Sequence, residues 1–245
     1  LQGKSDPKLL STYSTERRKV AQQLINADKE LSKLVATRPT TGDDSDGAKV
    51  DTAKIEAFMK RQSGFVSGTS IEYFPSYICT GQENQHLAPG YKIGQRFHSA
   101  EATRLADGRS QHLGHLVKAD GRWRIFVFGG TEDPSKTSST AYKLIDFLAN
   151  DASSPVLKYT PKGADIDAVI DTYAVFQHQD LSMHDLHGYL WPAKGKYELR
   201  DYEKVFHAQT GNDIYDLRSI DRNQGCVVIV RPDQHIASIL SVTAH

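Results

Sequence analysis

The stretch from Trp123 to Asn150, "WRIFVFGGTEDPSKTSSTAYKLIDFLAN", constrains the fold more than any other part of the chain. Its first six residues are apolar apart from Arg124, the pattern of a strand buried on both faces. Gly129-Gly130 breaks that strand, and Ala141, Leu144, Ile145 and Leu148 then recur at helical spacing. A central strand, a turn and a helix in that order predict an α/β domain. Downstream, Ala168–Phe176 reads as another strand, Asn212–Ile220 as a short helix, and Cys226–Val230 with His235–Val242 as a closing hairpin. In the connection of that hairpin, Pro232 supplies the fixed φ of a turn's second position and Asp233 suits the third. Arg231 is therefore expected to be structural, sitting at a corner and not at a ligand. Upstream, Leu113–Gly130 is expected to form a hairpin about Asp120-Gly121, a favoured two-residue turn. Lys194–His207 follows no single period.

A helical extension precedes this domain. Asp6 can accept from free amides of a first turn and Pro7 has no amide to orphan, so a helix starts there. Leu10, Tyr13, Arg17, Val20, Leu24, Ala27, Leu31 and Leu34 draw one stripe along it to about Val35. An apolar stripe of that length needs a covering surface, so residues Leu9–Met59 are expected to pack on something outside this chain or on a neighbouring copy. Arg17, on the stripe, is expected to be paired structurally. Thr37–Val50, "TRPTTGDDSDGAKV", reads as a mobile surface loop, and Asp43, Asp44 and Asp46 lack the alternate-residue spacing of a calcium loop. Asp51 is expected to cap a second short helix bearing Ile55, Phe58, Met59 and Gln62, ended by Gly64 and Gly68. "FVSGTSIEYFPSYI" then reads as extended.

The chemistry of the chain is spare. Its 30 Lys+Arg balance 30 Asp+Glu, so no basic excess marks a nucleic-acid surface. The longest apolar runs, Ile125–Phe128 and Val227–Val230, fall far short of the ~18 residues that cross a bilayer. Two cysteines, Cys79 and Cys226, form neither a disulfide framework nor a Cys-x-x-Cys pair, which suits a reducing, cytoplasmic location. The chain opens at Leu1 with no charged-then-apolar leader and reads as a piece of something longer. His178, His184 and His187 are spaced by six and three, which fits no zinc motif. On a strand, the three-residue step from His112 to His115 would send the rings to opposite faces. Gly129-Gly130 before a helix has the look of an anion cradle, yet lacks G-x-G-x-x-G and any following Lys-Ser/Thr, so a turn is expected. No catalytic, cofactor-binding or metal-ligating residue is assigned.

Several stretches in order resemble the C-terminal portion of the FAD-dependent aromatic hydroxylases typified by phenol 2-monooxygenase. Tyr13, Glu16-Arg17, Ala21, Leu24-Ile25 and Asp28 are similar to the helix that closes the family's flavin domain, and "GFVSGTSIEYFPS" to the passage after it. "HLAPGYKIGQRF", "ADGRWRIFVFGG" and "VVIVRPDQHIA" resemble markers of its third domain. The resemblance implies residues 1–84 as the end of a flavin-binding and substrate domain, and residues 85–245 as a thioredoxin-like domain that contributes to dimerisation.

The family's glycine-rich nucleotide motif, its central Asp-Gly motif and its flavin-side Gly-Asp motif are not found in this sequence. By resemblance, the whole enzyme is a flavoprotein monooxygenase that uses NADPH to reduce FAD and hydroxylates a phenolic substrate. This chain is the part serving structure and dimerisation, inactive alone, with the N-terminal flavin domain as its partner. The other reading is a stand-alone thioredoxin-like interaction module. Thiol exchange is excluded in either case, because the place of the redox pair holds Gly129-Gly130-Thr131-Glu132-Asp133-Pro134.

Overall fold

A computed structural model describes residues 6–36, 52–209 and 211–243. The chain divides into two compact units, Leu1–Ile78 and Cys79–His245. In the first, α1 spans Lys8–Ala36, and the Asp6 carboxylate accepts from the Lys8 amide at 2.8 Å, as its capping role requires. The helix α2 spans Thr52–Val66 and buries Phe58, while Met59 is exposed. It runs through Gly64 and not only up to it: the Gly64 carbonyl collects the amides of Thr69 and Ser70, and Gly68, at φ +73°, makes the reversal. Thr37–Val50 and Asp51 lie outside the described residues. The buried positions of α1 are Thr12 and Glu16, a polar pair satisfied locally. Glu16 accepts from the Ser76 hydroxyl at 3.1 Å, and Arg17 donates to the Tyr73 hydroxyl at 3.1 Å. Leu10, Tyr13 and Leu24 of the apolar stripe stand exposed. Ile71–Phe74 joins no sheet.

The second unit carries β1 (Glu101–Arg104), β2 (Ser110–His112), β3 (Trp123–Phe128), α3 (Thr140–Asn150), α4 (Pro155–Tyr159) and β4 (Ile170–Phe176). A small hairpin of β5 (Ala193–Lys194) and β6 (Leu199–Arg200) follows, then β7 (Val205–His207), α5 (Ile214–Leu217), β8 (Cys226–Val230) and β9 (Ile236–Leu240). Seven strands form one sheet in the order β2-β1-β7-β4-β3-β8-β9. β3 pairs parallel with β4 across the α3 crossover and antiparallel with β8, which turns back into β9. A parallel β-α-β pair extended by an antiparallel hairpin in the order β4-β3-β8-β9 is the thioredoxin arrangement, here widened by β7, β1 and β2.

Because side chains alternate along a strand, β3 feeds two cores. Ile125 and Val127 meet Ala141, Leu144, Ile145 and Leu148 of α3, the four positions read from the helical period. Phe126 and Phe128 face the other way, into an aromatic layer where Phe97 stacks on Phe126 at 4.4 Å and Phe126 on Tyr173 at 5.4 Å. Both edges of β3 are occupied by β4 and β8, so the expected hairpin about Asp120-Gly121 has no ladder to join. Leu113–Leu116 is a 3₁₀ turn instead. That turn also overturns the expectation for His112 and His115. Residues three apart eclipse in a 3₁₀ helix, and the two rings lie 5.9 Å apart.

The closing hairpin has the connection expected of it. The Gln234 amide reaches the Arg231 carbonyl at 2.9 Å around Pro232-Asp233, and the Arg231 amide reaches that of His235 at 2.8 Å. Gln234 takes φ +70°, completing a three-residue loop whose left-handed position is here held by a non-glycine side chain. Its amide group is anchored, donating to the Val117 carbonyl and accepting from Arg96. Arg231 is buried and pairs with Asp233 at 2.6 Å. Burial opposes charge on Asp233, but the His235 hydrogen bond and the Arg231 guanidinium hold its pKa at about 2.

Candidate functional site

The two ends of the β3–β4 pair are built differently. At the C-terminal end, where open α/β sheets bind ligands, Gly129 and Gly130 leave β3 toward α3. A Cβ on Gly130 would collide with the Asn223 carbonyl oxygen, and one on Gly225, at φ +67°, with that of Phe128. The loop before β8 thus lies directly on the backbone, and only glycine permits the approach. The Tyr215 hydroxyl, fully buried, is 2.8 Å from the Gly129 carbonyl oxygen and 3.0 Å from that of Val175. Gln177 donates to the carbonyls of Gly129 and Arg222, tying the loop down. Arg222 pairs with Asp213, the cap of α5.

Nor is the start of α3 available to an anion. The Glu132 carboxylate accepts from the Thr140 amide at 2.7 Å and its hydroxyl at 2.9 Å, and Ser139 caps the Tyr142 amide. The amide hydrogen bond from Thr140 holds the Glu132 pKa below its ordinary value. The protein's own carboxylate occupies the position a phosphate would take. Cys226 opens β8 on the far side of β3 with no exposure, and burial pushes its thiol up to about 12. Cys79 is equally buried, its sulfur 3.9 Å from the Ile236 carbonyl oxygen. The raised pKa keeps Cys226 a thiol at neutral pH.

The N-terminal end of the same strands is charged. Arg124, fully buried one residue into β3, makes a bidentate pair with Asp120 at 2.9 and 2.7 Å and stands opposite Asp171 of β4 in the parallel register. Arg122 bridges Asp120 at 2.8 Å and Asp171 at 3.1 Å. Lys204, just before β7, lies 2.7 Å from Asp167 and 2.5 Å from Asp171. Lys194 of β5 continues the chain of contacts to Asp167 at 2.7 Å and Asp201 at 3.1 Å. Four cations meet four carboxylates, so the cluster is neutral although several members are buried. Burial opposes charge on Asp167 and Asp201, but the lysines, Lys204 above all, keep both pKa values below the ordinary range. Asp171 and Asp167 raise Lys204, and Asp167 with Asp201 raises Lys194, each against its own burial.

No carboxylate here is left to abstract a proton and no cation is left to hold an anion. The arrangement can do something mechanical. It ties the bases of β3, β4 and β7 to the β5–β6 hairpin, whose Gly195 amide is also held by Asp165 at 2.9 Å. One local sign of it is legible in the sequence, Arg124 inside an apolar strand. Its partners, from Asp120 to Lys204, share no spacing. The histidines singled out by sequence are dispersed. His187 contacts Asp146 at 3.3 Å and accepts from the Tyr189 amide, while His184 packs against Trp191. No group of three metal-type ligands occurs among the described residues. No helix of the described residues is long and apolar enough to cross a membrane.

Against this geometry stand the similarities to known proteins. The family described as "Phenol hydroxylase, C-terminal dimerisation domain" matches residues 71–245. A 3-hydroxybenzoate 4-monooxygenase of Comamonas testosteroni is 40% identical over 244 residues, covering 98% of this chain and 38% of the relative. An FAD-dependent monooxygenase, terD, of Aspergillus terreus is 34% identical over 258 residues, covering all of this chain and 41% of the relative. The chain thus spans about two fifths of the length of the curated relatives it matches. Among solved structures, aklavinone-11 hydroxylase in complex with FAD and aklavinone aligns over 97% of this chain and 32% of its own, at 15% identity and a TM-score of 0.45.

Proposed function

The chain belongs to the family of phenol hydroxylase C-terminal dimerisation domains, and on that premise we propose that it is the C-terminal part of an FAD-dependent monooxygenase acting on a phenol-type ring. In this reading the helical unit, with the stretch to about residue 84, closes the flavin domain. The thioredoxin-like unit holds two copies of the enzyme together as a homodimer in the cytoplasm. The exposed Leu10, Tyr13 and Leu24 are then covered by the preceding part of the flavin domain.

The observation that carries the reading is the closed C-terminal end of β3. A thioredoxin-like sheet whose reactive position is two glycines under a loop, with both thiols buried, keeps the scaffold and dispenses with the chemistry. The residues present do not fit FAD either. The Gly-Gly turn that comes nearest to a dinucleotide cradle is filled by the loop at Asn223–Gly225 and the Glu132 carboxylate. FAD therefore belongs to the part of the enzyme that precedes this chain, with NADPH as its reductant. No residue of this chain is assigned to a chemical step.

Equilibrium dialysis of the 245-residue chain against FAD tests this, together with an insulin-reduction assay. Neither saturable flavin binding nor thiol-dependent reduction is expected, while the complete protein is expected to carry flavin absorbance and to consume NADPH with a phenolic substrate. Micromolar flavin binding by this chain, or insulin reduction abolished by replacing Cys79 and Cys226, would overturn it. A complete protein without flavin would favour a stand-alone interaction module.

A further inference from the structure

We propose that the tip of the β5–β6 hairpin is the centre of the two-fold contact between copies of this chain, Tyr197 and Leu199 of each packing against the other copy. This rests on the reading of the thioredoxin-like unit as a dimerisation domain and adds where the copies meet.

Exposure singles the tip out. Tyr197 is 74% and Leu199 70% exposed, two residues apart on one hairpin. The other large apolar side chains exposed in this unit, Tyr159 and Leu217, stand singly on α4 and α5. Behind the tip, Arg200 lies over the Trp191 ring at 5.0 Å, and Trp191 stacks on Tyr202 at 6.3 Å. Tyr, Trp and Arg are the side chains that carry most binding energy where proteins meet. Two side chains cannot supply the ~800 Å² per partner of a standard interface, so this aromatic shelf forms the surround.

The tip is also held ready. The Glu198 amide closes the turn on the Gly195 carbonyl, Asp165 holds the Gly195 amide, and Lys194 is locked between Asp167 and Asp201. An element fixed before association loses little conformational freedom on binding. The buried ionic cluster thereby acquires a purpose that stability alone does not give it, as the foundation of the hairpin.

Charge names the occupant. Lys196 and Glu198 flank Tyr197, both exposed, and neither forms an ion pair among the described residues. A two-fold axis through the tip sets Lys196 beside the partner's Glu198, and the reverse, so the patch is complementary to itself.

Sedimentation velocity of the 245-residue chain over a concentration series tests the placement, with melting temperature as the check on folding. The parent is expected to dimerise. Tyr197→Lys combined with Leu199→Lys should weaken the dimer by roughly thirtyfold or more at an unchanged melting temperature, and Leu217→Lys should leave it intact. Lys196→Glu and Glu198→Lys should each weaken it by about tenfold, and the two together should restore it. That restoration decides the matter even if the double lysine variant does not fold. A monomeric parent would defeat the dimerisation reading itself. A dimeric parent whose affinity none of the hairpin changes alters would leave that reading standing and overturn this placement.

Discussion

The C-terminal end of the β3–β4 pair is closed by backbone, and the N-terminal end is cross-braced by charge. At the first, Gly130 and Gly225 let one loop lie on another, and the nearby carboxylate of Glu132 serves its own helix. At the second, four cations and four carboxylates tie three strands to a projecting hairpin. In an α/β sheet, chemistry is expected at the first end. The contrast teaches that one strand pair can be sealed by close-packed glycines at one end and braced by charge at the other, and it is from the braced end that a hairpin carries Tyr197 and Leu199 exposed two residues apart.

The comparison breaks most readily at Lys204. Replacing it by Ala strands Asp167 and Asp171 in the interior and should cost about 3–5 kcal/mol, read as a fall in the urea midpoint. A loss under 1 kcal/mol would mean that the cluster is no brace. The same cluster sets a pH window. Asp167 and Asp201 have lowered pKa values, so their contribution is full above the ordinary aspartate value of about 3.9 and is lost as pH falls through the lowered ones. Lys194 and Lys204 are raised, so theirs is full below about 10.4 and is lost as pH rises through the raised values. Stability should be flat between about pH 5 and 9 and fall on both sides, and Lys204→Ala should flatten the alkaline limb.

The closed end gives the next effect. Gly225→Ala meets the Phe128 carbonyl oxygen in a left-handed backbone conformation and should destabilise by about 2–4 kcal/mol. A neutral outcome in thermal melts would mean that the loop does not seal β3. Arg231→Ala, beside the N-terminal end of β3 where Val230 pairs with Arg124, should show the smallest loss, about 1 kcal/mol, because the Asp233 it pairs with remains half in solvent. Turnover of the complete enzyme should be unchanged by it at temperatures where both are folded. A hundredfold loss with native stability would make that corner a site.

What the sequence disclosed follows the range of the forces involved. α3 and the β8–β9 turn were legible because helical period and Pro-Asp turn chemistry act within a few residues. The Asp120-Gly121 turn carried an equally strong local signal and misled, because β3 had already spent both its edges on β4 and β8. Strands β1, β2 and β7 have three or four residues each, too few to show a period, and exist through pairing alone. The ionic cluster was hidden for the same reason. Asp171 meets Arg124 by register and Lys204 meets Asp167 by chain reversal, neither of which leaves a mark in spacing. That residues 129–134 hold no cysteine is read directly from the sequence, whereas the packing of the Asn223–Gly225 loop on Gly130 is not, because it joins residues about ninety positions apart.

Hydrogen–deuterium exchange of the chain, compared between concentrations where it is dimeric and where it is monomeric, puts the contrast between the two ends to the most direct test. Dimerisation is expected to protect amides of residues 193–202 and to leave those of 129–134 and 221–225 unchanged. Protection confined to 129–134 and 221–225, with the hairpin unaffected, would contradict the account, because the closed end and not the braced one would then be the working face.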